Sequence, residues 1–171
     1  MIRVIDKADK FIPVIKDDKG ITISFDFSER SFEGDNSNSK LGVWSEHTFT
    51  QNISFAQIKL FIINEINKTV DNKILSGFTW KGMPVWLSTE NQFNYKAVYD
   101  VAVQTNGANL PLIFKFGDSE NPIYYKFEEF EDLQDFYLKA LEHINEQLVI
   151  GWKKKDSIDW SVYEDALNNL K

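Results

Sequence analysis

The sequence predicts a mixed α+β fold: an N-terminal β-hairpin region followed by a helix–hairpin–helix–hairpin–helix domain with antiparallel strands. Three observations predict it. Residues 11–16 (FIPVIK) and 21–27 (ITISFDF) flank the polar turn Asp17-Asp18-Lys19-Gly20, which is the pattern of a β-hairpin. Two later apolar pairs are likewise broken by short turn sequences, Lys81-Gly82 in one and Asp118-Ser119-Glu120-Asn121-Pro122 in the other. Segments of helical period separate and follow these pairs, so neighbouring strands are joined by turns rather than by βαβ crossovers. Two regions follow from this order: a β-rich N-terminal docking region over 1–53 and an α+β domain over 54–171.

In the first hairpin Ile21, Ile23, Phe25 and Phe27 alternate, which puts all four on one face. Pro13 restricts 11–16 to an edge position, because proline has no N–H to give to a ladder. Residues 28–42 are polar and rich in Gly, Ser and Asn, and read as a loop. A further strand over 43–50 places Val43, Ser45, His47 and Phe49 on one side. Ser54 and Gln57 then have the spacing of a capping box, and Ile53 and Ile58 that of a hydrophobic staple. A helix is predicted from Phe55 to about Leu75, stopped by Gly77. Ile58, Ile62, Ile66, Val70 and Ile74 recur every four residues, with Leu60 and Phe61 off that stripe, so the helix is expected to be covered on more than one side.

The hairpin 78–87 precedes a second helix, where Thr89 and Gln92 repeat the capping-box spacing and Asn106-Gly107 ends the run. The strands LPLIFKFG and IYYKF form the next hairpin. The longest helix is expected over about 129–153, with Phe130, Leu133, Tyr137, Ala140, Leu141, Ile144, Leu148 and Trp152 as its apolar stripe. A short helix follows Ser161, with Glu164 in capping-box spacing.

Composition narrows the function. A net charge of −7 over 171 residues argues against general nucleic-acid binding, and the only tight basic run is Lys153-Lys154-Lys155. With no cysteine there is neither a disulfide framework nor a thiolate metal site. The N-terminus lacks the apolar run of a signal peptide and no segment approaches a membrane span, so no membrane insertion is expected. The aromatics, 14 Phe, 6 Tyr and 5 Trp, exceed what an ordinary core needs and permit a partner surface.

No catalytic residue, cofactor-binding residue or metal ligand can be nominated. Glu128, Glu129, Glu131, Asp132 and Asp135 crowd the start of the long helix, where negative charge complements the macrodipole; paired glycosidase carboxylates would come from separate elements around a cleft. His47 and His143 lie far apart in sequence, and His143 projects opposite Leu141, Ile144 and Leu148, as an exposed helix residue would. Asp35, Ser37, Ser39 and Glu46 match some positions of a calcium loop, but Lys40 stands where the loop needs glycine. No phosphate-binding glycine loop and no nucleophile elbow is present. The chain therefore reads as non-enzymatic and without cofactor. Two binding sites are candidates. Phe11, Ile12, Val14 and Ile15 make an apolar edge strand suited to strand addition by a partner, or equally to pairing with the strand from Val43 to Thr50 of the same chain. Trp44, Trp80 and Trp86 are candidates for stacking on sugar rings, with core packing as the competing role.

A helix ending in GFTWKGMPVWLS is followed by the strands LPLIFKF and IYYKF, the closing helix EEFEDLQDFYLKALEHINEQL and the tail GWKKKDSIDWSVYEDA. With these motifs the segment from about Ile58 to Asp165 resembles a phage family of domains of unknown function found in tail-fibre and other tail-associated proteins. It covers about two-thirds of the chain, and its motifs are mostly structural. It implies a virion structural protein made in the host bacterial cytoplasm, in or near the tail, that contacts other phage structural proteins in multiple copies per particle. Host attachment through a carbohydrate-binding surface is the alternative.

Overall fold

The computed structural model describes residues 1–30 and 41–170, with Lys10 and Arg30 in backbone only. The calcium-loop positions Asp35, Ser37, Ser39 and Lys40 lie outside the described residues, as does most of the expected loop 28–42. The elements are β1 (Ile2–Lys7), a 3-10 turn (Ala8–Lys10), β2 (Val14–Asp17), β3 (Gly20–Arg30), β4 (Leu41–Phe49), α1 (Phe55–Ser76), β5 (Phe78–Trp80), β6 (Met83–Val85), α2 (Thr89–Gln104), β7 (Leu112–Gly117), β8 (Pro122–Phe127), α3 (Phe130–Asp156) and α4 (Ser161–Asn168). The class is α+β, with every strand pair antiparallel. No described helix is long and apolar enough to cross a membrane.

The chain divides into two compact units, Met1–Glu65 with Ser157–Lys171, and Ile66–Asp156. The boundary falls within α1 rather than at residue 53, which is instead the entry to that helix. There the capping box forms as its spacing predicts. Gln57 N–H donates to Ser54 Oγ at 3.3 Å, and the Gln57 side-chain oxygen accepts from Ser54 N–H at 2.8 Å.

The first unit is a four-stranded sheet in the order β1-β4-β3-β2. Ile21, Ile23 and Phe25 are buried on one face, and Phe25 meets Phe61 of α1 edge-on at 5.7 Å. Phe27 does not share that face. The register of β3 against β4 slips between Phe25 and Ser28, and Asp26 takes φ 56°. Such a bulge sets two residues against one and breaks the alternation. Phe27 is thereby turned to the other face, beside Trp44 (6.3 Å) and Phe11 (4.8 Å).

Strand β2 is joined to β3 by the expected turn, in which Asp17 accepts from Lys19 N–H and Gly20 N–H. Its first cross-strand bond comes from Ser24 N–H to the Pro13 carbonyl at 2.9 Å. In an antiparallel ladder that bond would be returned, and Pro13 has no N–H to return. The hydroxyl of Tyr163, buried in α4, donates to the Ser24 carbonyl at 2.9 Å instead. A helix near the C-terminus thus completes the ladder that a proline at the other end of the chain leaves open.

The second unit packs its helices around two hairpins, β5–β6 and β7–β8. Its core gathers Phe78, Trp80, Tyr95, Phe114, Phe116, Phe127, Leu133, Phe136 and Ala140. The Phe136 ring lies within 6.3 Å of six aromatic rings, including Trp80, Tyr95 and Phe116. Phe136 was not on the expected stripe of α3, whereas Leu141 and Trp152, which were, are exposed. The buried side of α3 is Leu133, Phe136, Ala140 and Gly151. Gly151 is on that side because α1 comes close: a Cβ there would stand 2.6 Å from Val70 Cγ2. Two helix starts also differ from expectation. The cap of α2 is Ser88, which accepts from Asn91 N–H at 3.2 Å, one residue before Thr89. In the first unit, α4 has Trp160 as its N-cap without a side-chain bond, and Ser161 N–H is taken by Asp159.

Candidate functional site

The sheet of the first unit has two edges, β2 and β1. The strand expected over 43–50 pairs with the far side of β3 and with β1, so β2 has no strand on its outer side among the described residues. The Ser24–Pro13 bond sets the alternation of the ladder: Pro13, Ile15 and Asp17 turn their backbone groups to β3, and Val14 and Lys16 turn theirs outward. The four apolar residues nominated there divide. Val14 is buried opposite Ile23, and Phe11 packs on Phe27 and Trp44, while Ile12 and Ile15 remain exposed. Beside β2 runs an open groove of about 620 Å³ lined by Lys16, Ile21, Ile53, Phe55, Glu164 and Leu167, among others.

The opposite edge escaped sequence reading. Strand β1, IRVIDK, pairs with β4 in the register Val4↔Trp44. The signal available was its three β-branched residues, Ile2, Val4 and Ile5, which favour extended backbone. The apolar side chains of Ile2 and Ile5 are 67% and 65% exposed. The same alternation carried across β3 and β4 turns Val4 to β4 and leaves the N–H and C=O of Arg3 and Ile5 pointing outward. No described residue takes them. Lys7 N–H, next in that series, is closed by the Asp6 carboxylate at 2.7 Å.

The three nominated indoles differ in exposure. Trp44 and Trp80 are 3% and 1% exposed, so neither presents a face to a sugar, and only Trp86 is open, at 49%. Each buried indole has a hydrogen-bond acceptor: Trp44 donates to Glu46 and Trp80 to Asp135, at 2.8 and 2.9 Å. Such bonding is what a core role for tryptophan requires.

Around Trp80 the acidic start of α3 acquires partners from other elements. Lys81 of the β5–β6 turn reaches Asp132 at 2.7 Å and the Tyr125 hydroxyl at 3.1 Å, and Tyr125 donates to Asp132 at 2.6 Å. The Lys81 hydrogen bond foremost, with that of Tyr125, holds the Asp132 carboxyl below the usual carboxylate range. Lys139 and Trp80 do the same for Asp135. A general acid needs a shift in the opposite direction; the bonds of these two carboxylates tie the start of α3 to the β5–β6 and β7–β8 hairpins.

Both histidines are held by aromatic neighbours. His143 is half-buried rather than exposed: its Nε2 lies 3.0 Å from the Lys73 carbonyl, and its ring faces Phe78. His47 stacks on Phe61 at 4.4 Å and meets Phe49 edge-on. Burial, and then the N-terminal ammonium, lower its pKa, with Glu65 opposing. Among the described residues no group of three or more acidic or histidine side chains is placed to hold a metal ion. No protein-family model, no curated protein sequence and no solved structure matches the chain.

Proposed function

We propose that this chain is a non-enzymatic structural protein of a bacteriophage particle, associated with the tail or a tail fibre, that joins its assembly by protein–protein contact. The observation that carries the contact reading is the pair of open sheet edges, with Ile2, Ile5, Ile12 and Ile15 exposed beside unpaired backbone groups. Unpaired edges recruit extended segments through main-chain bonds, with flanking side chains giving specificity. The placement in a phage tail is supported by the resemblance over 58–165. The acidic balance favours protein over nucleic acid as the partner. In this reading the chain is made in the host bacterial cytoplasm and is present in several copies per particle.

Quantitative mass spectrometry of purified particles tests the proposal. The chain is expected among the stoichiometric tail components. Its absence from particles, together with abundance in infected cells, would overturn the virion assignment.

A further inference from the structure

The two open edges are not equivalent. Strand β2 has four residues, begins after a proline and has α4 beside it, with Lys16 in the groove wall. Strand β1 has six residues, no proline, no bulge and no charged side chain closing its outer backbone groups except at Lys7. Proteins that leave such an edge bare risk pairing it with another chain. We infer that β1 pairs with β1 of a second copy of this chain, antiparallel, about a twofold axis through Val4. This deepens the contact reading above and rests on it.

The register follows from the backbone and the charges. Only residues 3, 5 and 7 turn their backbone groups outward, and Lys7 N–H is already bonded. Antiparallel pairing about Val4 sets Arg3 opposite Ile5 of the second copy, and Ile5 opposite its Arg3. Each of these pairs exchanges two main-chain bonds, so four bonds satisfy every outward group of Arg3 and Ile5. The neighbouring registers about Arg3 or Ile5 would set Arg3 against Arg3, or Arg3 against Lys7, and like charges directly opposite are unfavourable. Registers centred between residues would set outward groups against groups already bonded to β4. One pairing alone satisfies both the bonds and the charges, and the result is a continuous eight-stranded sheet. Isologous pairing of this kind uses the same patch on both copies.

The absence of cysteine makes the test clean. Purified full-length V4C and D6C are oxidised mildly with oxidised glutathione and compared on non-reducing gels, and wild type and I5K are compared by sedimentation across a concentration series. In the inferred register the two thiols of V4C face each other in a non-hydrogen-bonded pair, close enough for a disulfide, while Asp6 faces Ile2. V4C is expected to dimerise roughly tenfold or more faster than D6C, given the strict separation a disulfide demands. Wild type is expected to show reversible dimer, and I5K to be monomeric, with a Tm equal to that of the wild type at dilutions where the wild type is monomeric. Equal linking of V4C and D6C, or a wild-type chain that stays monomeric throughout the series, overturns the inference. If V4C disturbs the fold, the comparison of wild type with I5K decides by itself. Failure of self-pairing with the chain still incorporated in particles removes the second copy as partner and leaves the proposed function standing. A linked V4C dimer from a chain absent from particles does the reverse.

Discussion

The two units use their aromatic residues in opposite ways. In the second, Trp80, Phe114, Phe116, Phe127 and Phe136 close around one another, and the one side-chain polar atom among them, Trp80 Nε1, is bonded to Asp135. In the first, aromatics divide between the two faces of a sheet, Phe25, Phe49 and Phe61 on one and Phe11, Phe27 and Trp44 on the other, and the sheet ends in open edges. A hairpin wrapped by helices buries its apolar side chains within a local segment. A sheet must close its backbone as well, and it does so only as far as other parts of the chain supply donors. Tyr163 fills the gap that Pro13 leaves between β2 and β3, while the outer edges of β2 and β1 have no strand beside them among the described residues. The lesson is that burial of side chains and satisfaction of backbone are separate problems: the second unit closes its aromatic core although each of its sheets has only two strands.

The largest effect expected is at the centre of the closed unit. Phe136→Ala removes a ring with no exposed surface and should lower the unfolding free energy by about 3–5 kcal/mol, measured by chemical denaturation. A loss below about 1 kcal/mol would be that of an ordinary surface site and would show that this core is loosely packed.

In the sheet unit the corresponding weak point is a backbone group. Tyr163→Phe keeps the ring and leaves the Ser24 carbonyl without its donor, at a cost of about 1–3 kcal/mol. Pro13→Ala restores an N–H opposite that carbonyl, so adding it to the Tyr163→Phe variant should recover part of the loss, whereas alone it should gain little. Additive effects of the two changes in a double-mutant cycle would refute the compensation. Burial also pushes the Tyr163 hydroxyl up to about 12, so its absorbance should titrate later than that of an exposed tyrosine.

A smaller effect tests the close approach of α1 and α3. Helix propensity alone would reward Gly151→Ala by about 1 kcal/mol. The added Cβ would instead meet Val70 Cγ2 at 2.6 Å, and the stiff β-branched side chain has little room to turn. Net destabilisation is expected, and Val70→Ala in the same chain should relieve it.

The smallest effect concerns pH. The His47 pKa lies below its ordinary value of 6.5 in the folded state, chiefly through burial. Just below that value the unfolded chain binds more protons, so the stability His47 contributes is present above about pH 6.5 and declines as the solution is acidified towards the folded-state pKa. His47→Phe should therefore show a smaller fall in Tm between neutral and mildly acid solution than the wild type. Equal falls would mean that the histidine does not contribute to the acid response.

Local signals in the sequence determined the class, the hairpins and most helix limits, because turn residues and the apolar period act over a few neighbours. The Ser54–Gln57 cap formed where its spacing placed it, and the edge position of β2 followed from Pro13. Signals that depend on distant partners were not legible. The bulge at Asp26 reversed Phe27, and α1 and the hairpins selected Phe136 and Gly151 over Leu141 and Trp152 as the buried side of α3. His143 was drawn inward by the Lys73 carbonyl. Among the candidate contact residues, the sequence named one edge of the sheet and missed the other, since six residues of extended chain become an edge only when β4 pairs with them. Apolar content and spacing are properties of the chain. Which backbone groups remain unpaired is settled only after every strand has found its neighbours, and that is the property on which the proposed contact surface depends.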